Sequence, residues 1–157
     1  MSFIPLAELW NTVNEINIGM FTTVDRRGCL TSRPMITQQI DADGVMWFFT
    51  SLQYRLREDL VCKPHANISF CDTKEFLYVS LSGVASQVRD RSCYFRLWNP
   101  MARAWFPRGM DDSRLVLVRF SVTIAECWDA DVSNMVELKN AESTAMDAEH
   151  RVALGHR

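Results

Sequence analysis

The sequence predicts a mainly β fold, an antiparallel barrel with a few helices on its outside. Three observations carry that expectation. Short runs rich in β-branched and aromatic residues recur along most of the chain. Tight turn signals, Asp25–Gly28 and Asp41–Gly44, separate the first of them as in a meander. Helical spacing of apolar residues is confined to short segments between strands.

The elements follow in order. Leu6, Leu9, Trp10, Val13 and Ile16 recur at helical spacing after Pro5, which predicts an amphipathic N-terminal helix. Residues 18–24, 29–40 and 45–50 read as three strands, the last a continuous apolar run of the kind buried on both faces. Residues 54–62 read as a short helix stopped by Pro64. Strands follow at 66–71 and 77–88. Residues 91–105 are helical in composition but hold Pro100, so two short helices are expected, the second capped by Asn99. Segments 115–122 and 125–130 close the sheet. One domain over residues 1–138 is expected, with residues 139–157 a weakly helical or disordered tail.

Composition narrows the function. The chain has 157 residues, enough for one real core. A net charge of −2 argues against nucleic-acid binding. No apolar run approaches membrane length, and the N-terminus does not read as a signal peptide. Five cysteines without a CxxC pair argue against a disulfide framework or a zinc site and suit a reducing cytoplasm. No metal site is expected.

The segment Thr31–Gln39 is composed like a strand yet contains Pro34 beside Arg33. If Asp41 and Gly44 flank their turn, Met35 lies opposite Thr50 and Thr37 opposite Phe48. Arg33, Met35, Thr37 and Thr50 then share one face, and a slip of one position substitutes Ser51. The 54–62 helix begins just after, with unpaired N–H groups and about half a unit of positive charge. Arg33, Thr50, Ser51, Arg55 and Arg57 thus form a candidate phosphate-monoester site. The alternative is a pair of hydroxyls capping the helix among solvated arginines. Pro34 has two readings as well. It lies on a solvent-facing edge, or it faces a ligand while main-chain groups of Met35 and Thr37 pair with a flat heterocycle.

The segments Thr22–Asp25, Ser32–Met35, Thr37–Gln39, Trp47–Ser51, Asn67–Ser69, Tyr78–Gly83, Leu97–Pro100, Ala104–Pro107 and Trp128–Asp129 occur in the order of a known family. In them the chain resembles the general stress protein branch of the pyridoxamine 5′-phosphate oxidase-like split-barrel flavoproteins. The resemblance implies a six-stranded antiparallel split barrel that dimerises and holds FMN between subunits. It carries Arg33, Met35, Thr37, Phe49, Thr50 and Ser51 over as cofactor-binding positions. A basic pair that grips the phosphate matches Arg55 at its first position but meets Leu56 at its second, so Arg57 substitutes only if the helix turns it inward. FAD or a deazaflavin is the alternative cofactor. The arginine–histidine motif for a pyridoxal-type substrate has no counterpart after Trp128, so pyridoxamine phosphate oxidation is not expected. The functional expectation is a flavin-dependent oxidoreductase of unknown substrate, with no catalytic residue assigned. The alternatives are a non-enzymatic flavin-binding or storage protein and a barrel that has lost its cofactor.

Trp98 and Trp105 are read either as packing on a partner subunit near the flavin ring or as plain core. Tyr78 is expected in the core, with a flavin contact across the dimer as the alternative. Asp111 and Asp112 are expected in a solvated turn.

Overall fold

The computed structural model describes residues 2–51, 54–131 and 134–142, with side chains over residues 7–51 and 56–128. The order is β1 (Ser2–Pro5), α1 (Leu6–Ile16), β2 (Ile18–Val24), β3 (Leu30–Ile40), β4 (Val45–Ser51), α2 (Tyr54–Cys62), β5 (His65–Asp72), β6 (Leu77–Val88), α3 (Arg91–Leu97), α4 (Pro100–Trp105), β7 (Leu115–Asp131) and β8 (Asn134–Glu142). Six strands close an antiparallel barrel in the order β2-β3-β4-β7-β6-β5, with β5 returning to β2.

Local chemistry shapes each turn. Asp25 and Asp41 both begin a hairpin in which Gly28 and Gly44 take positive φ (88° and 80°), and the residue after each glycine closes the ladder. This is a three-residue loop with a glycine bulge. Asn17 ends α1 in the left-handed region (φ 65°), where its N–H donates to the Val13 carbonyl at 2.8 Å.

Alternation sorts the side chains into two clusters. Phe21, Met35, Met46, Phe48, Ile68, Leu81 and Phe120 fill the barrel, joined by Leu9 and Val13 of α1 and Leu56 and Leu60 of α2. The opposite face of β4 carries Val45, Trp47 and Phe49, which pack with Tyr94, Leu97 and Leu117 beneath α3 and α4. Strand β4 is therefore buried on both faces, as its continuous apolar run predicts. Each large side chain so buried contributes about 1.5–3 kcal/mol.

The strands expected at 115–122 and 125–130 are one strand, β7. A bulge at Thr123 shifts its register against β6 between Ser82 and Gly83, and this bend is where the apolar pattern breaks. A Cβ at Gly83 would lie 2.0 Å from the Ser121 carbonyl oxygen, so only glycine lets the two strands pass there. Two strands, β1 and β8, were not expected. They pair with each other in parallel, and β8 also pairs with β7. Strand β8 runs four residues into the expected tail, to Glu142, so residues 139–142 are strand, not weak helix. The rest of that segment, residues 143–157, lies outside the described residues.

Candidate functional site

The β3–β4 ladder runs from Ile40↔Met46 only as far as Ile36↔Phe49. Beyond that rung β3 stays paired to β2 as far as Leu30, and β4 stays paired to β7 as far as Ser51. The two strands part, leaving a gap between Arg33–Met35 and Thr50–Ser51. Gaps in a ladder expose main-chain groups, so their direction matters. The Thr37 N–H donates to the Asn17 carbonyl at 3.0 Å. Direction alternates along a strand, so Met35 and Arg33 also turn their main-chain groups toward β2. The pairing of Met35 and Thr37 backbone with a heterocycle is thereby overturned, because those groups already serve the β2 side. Pro34 turns toward the gap instead, where its missing N–H costs no rung.

Arg33 lies opposite Phe21 and shares its inward face. Its Nη2 donates to Thr23 Oγ1 at 3.0 Å, and Thr23 Oγ1 donates to Asp59 Oδ2 at 2.9 Å. Arg33 Nη2 and Asp59 Oδ2 are 3.9 Å apart, with side chains 11% and 8% exposed. Arg33 Nε and Nη1 are buried and have no hydrogen-bond partner among the described residues. Burial pushes the guanidinium below its ordinary pKa, and the Asp59 charge pushes back. The site is thus a desolvated cation only partly satisfied from within.

The other predicted positions separate. Met35 and Thr37 are buried in the barrel, and the Thr37 hydroxyl has no partner among the described residues. Thr50 is half-buried and Ser51 exposed at the end of β4. Leu56, at the usually basic position, is 2% exposed and belongs to the barrel core. Arg57 is exposed, so the helix does not turn it inward. The Arg55 side chain lies outside the described residues. Phe49 sits on the other face of β4, its ring 5.4 Å from Trp98 and 5.7 Å from Tyr94. Trp98 therefore packs beneath α3 and α4, whereas Trp105 is 61% exposed. Tyr78 is a correction to the core expectation. It stands on the outer face, beside a cleft of about 340 Å³ that Ile18, Met20, Ser69, Cys71 and Trp128 also line. Asp111 and Asp112 pair with Arg91 and Arg114 at 3.2 and 3.3 Å.

The sequence profile of the pyridoxamine 5′-phosphate oxidase-like family matches residues 5–150. The chain belongs to this family. Within it, the fold is similar to a protein from Clostridium acetobutylicum related to general stress protein 26, with a TM-score of 0.75 and 21% identity, covering 86% of this chain and 93% of that one. It is also similar to the general stress FMN/FAD binding protein of Xanthomonas citri, with a TM-score of 0.66 and 30% identity over 83% of this chain and 92% of that one. Protein bli-3 of Neurospora crassa is 29% identical over 136 residues, 78% of this chain. The chain spans 65% of the length of that curated relative.

For this pyridoxamine 5′-phosphate oxidase-like chain, the orphaned guanidinium nitrogens are the direct test of fit to a phosphorylated cofactor. Two buried N–H donor groups without acceptors among the described residues fit an anion's oxygens. Thr23 and Asp59 were missed by sequence reasoning. A signal was present: Leu56, Asp59 and Leu60 share helical spacing, so the acid sits on the apolar stripe of α2, where an unpaired charge would not survive.

Proposed function

We propose that the chain is an FMN-binding flavoprotein of the general stress protein type that works as a homodimer. The observation that carries this reading is the buried Arg33, with two guanidinium nitrogens unpartnered among the described residues, at the place where β3 and β4 part. Arg33 would hold the phosphate, with the Thr50 and Ser51 hydroxyls across the gap. A bound flavin supplies hydride and electron transfer, so the protein need only bind, orient and shield it. Oxidoreductase activity on a small molecule in the cytoplasm follows as the working role. Titration of the purified apo protein with FMN, FAD, riboflavin and a deazaflavin, read by fluorescence, tests the cofactor. Absence of saturable binding for all four defeats the reading.

The dimer is supported by the outer face of β2, β5, β6 and β7. Ile18, Met20 and Tyr78 are exposed around one cleft there, and Val84 and Ile124 are exposed farther along β6 and β7. Exposed apolar clusters mark surfaces that contact other protein chains. Light scattering should give twice the chain mass, and Met20→Glu with Ile124→Lys should give the monomer. A wild-type monomer at micromolar concentration removes the two-subunit site.

A second reading is favoured by one observation. Leu56 is core and Arg57 is exposed, so of the predicted basic positions with described side chains Arg33 is the one buried near where β3 and β4 part. A barrel with so little positive charge suits a weakly held or lost cofactor. The same titration separates the two readings.

A further inference from the structure

We infer that Asp59 is a built-in competitor for the anion that Arg33 binds, so that it sets anion affinity and fold stability in opposite directions. The inference rests on the reading of Arg33 as the anion-holding residue. Arg33 and Asp59 are both nearly buried, and Thr23 joins them, accepting from one and donating to the other. A buried guanidinium needs a counter-charge. With no ligand present, Asp59 is that counter-charge. Once an anion's oxygens reach the guanidinium, two negative groups share one cation. Like charges a few ångströms apart in a poorly solvated site repel strongly. The carboxylate therefore weakens the hold on an incoming phosphate, and a more highly charged ligand is penalised more.

The contact is not an accident of a surface side chain. Asp59 lies on the inward stripe of α2, between Leu56 and Leu60, which are both in the barrel core. Thr23 lies on the inward face of β2 and is fully buried. The acid is held in place by packing from two elements, and it remains beside Arg33 whether or not a ligand is bound.

The test compares wild type with Asp59→Asn, which keeps shape and removes charge. Inorganic phosphate, read by thermal shift, probes the anion alone; FMN and riboflavin, read by fluorescence titration, probe the flavin reading. Asp59→Asn should lower the apo melting temperature, tighten phosphate and FMN by roughly tenfold, and change riboflavin by less than FMN. Unchanged or weaker phosphate binding in the variant overturns the inference, and Asp59 is then a positioning residue for Arg33. If the variant is insoluble, lysis in high inorganic phosphate should recover it, because the anion replaces the missing carboxylate; failure to recover it also overturns the inference. Wild-type protein that binds no flavin, with the phosphate response of Asp59→Asn intact, would sink the flavin reading and leave this one standing.

Discussion

Asn99 donates from Nδ2 to Gln38 Oε1 at 2.9 Å, across 61 positions of sequence. The same side chain accepts the Ala102 N–H at 2.8 Å and so caps α4. Gln38 is the residue at which the β3–β4 register shifts. One side chain thus starts a helix and ties it to the strand bulge beside the site. Asn99→Ala should cost about 1–2 kcal/mol in urea unfolding. Asn99→Asp keeps the cap acceptor and should cost less; equal losses would show that the cap contributes nothing.

Tyr94 closes one end of the barrel seam. Its hydroxyl donates to the Val88 carbonyl at 3.1 Å and accepts the Leu117 N–H at 3.0 Å. Val88 and Leu117 are the last rung of the β6–β7 ladder. Tyr94→Phe leaves a buried N–H without that acceptor and should cost about 1–3 kcal/mol. Amide exchange at Leu117 should accelerate; unchanged exchange there would refute the role.

Gly83 marks the other critical point of that seam. An added Cβ meets backbone, not a flexible side-chain end. Gly83→Ala should cost about 3 kcal/mol. A midpoint in guanidinium equal to wild type would mean that β6 and β7 do not cross as described.

Arg33→Ala should weaken FMN binding by about 1.5–3 kcal/mol, the range for hydrogen bonds to a charged group, and riboflavin by less. Equal losses for the two ligands would show that Arg33 does not touch the phosphate.

Three carboxylates make stability depend on acid. Asp25 is held below its ordinary pKa chiefly by the Cys29 N–H, Asp90 by the Ser92 N–H, and Asp112 by Arg114. A depressed folded-state pKa contributes stability that is present above the unfolded value, here 3.8, and lost as pH falls through the folded value. Urea midpoints should therefore drop as pH falls from 4 toward 2. Asp90→Asn keeps the cap acceptor without titrating, so its drop should be smaller. An identical acid profile would remove Asp90 from the account.

Much of the site's frame was legible because it is set by neighbours in sequence. The expected pairing Thr37↔Phe48 is the one observed, although the route to it was not foreseen. The glycine bulge after Asp41 moves the register by one position, and the bulge at Gln38 moves it back. Pro34 and the β4 apolar run were likewise readable, since a missing donor and a two-sided burial leave direct marks on composition. The β1–β8 pair left no such mark, because its partners are separated by nearly the whole chain and its strands carry no strong alternation.

The sequence by itself marked the six barrel strands, their turns and the face that Arg33 shares with Met35 and Thr37, because dihedral preference and hydrophobic period act over a few residues. Only the tertiary structure decided what that cation touches. Whether Leu56 or Arg57 points into the barrel depends on how α2 docks, and the pairing of Arg33 with Thr23 and Asp59 exists only once strand and helix are packed. Charge partnership of this kind falls off within ångströms, and distance through space is not written in distance along the chain.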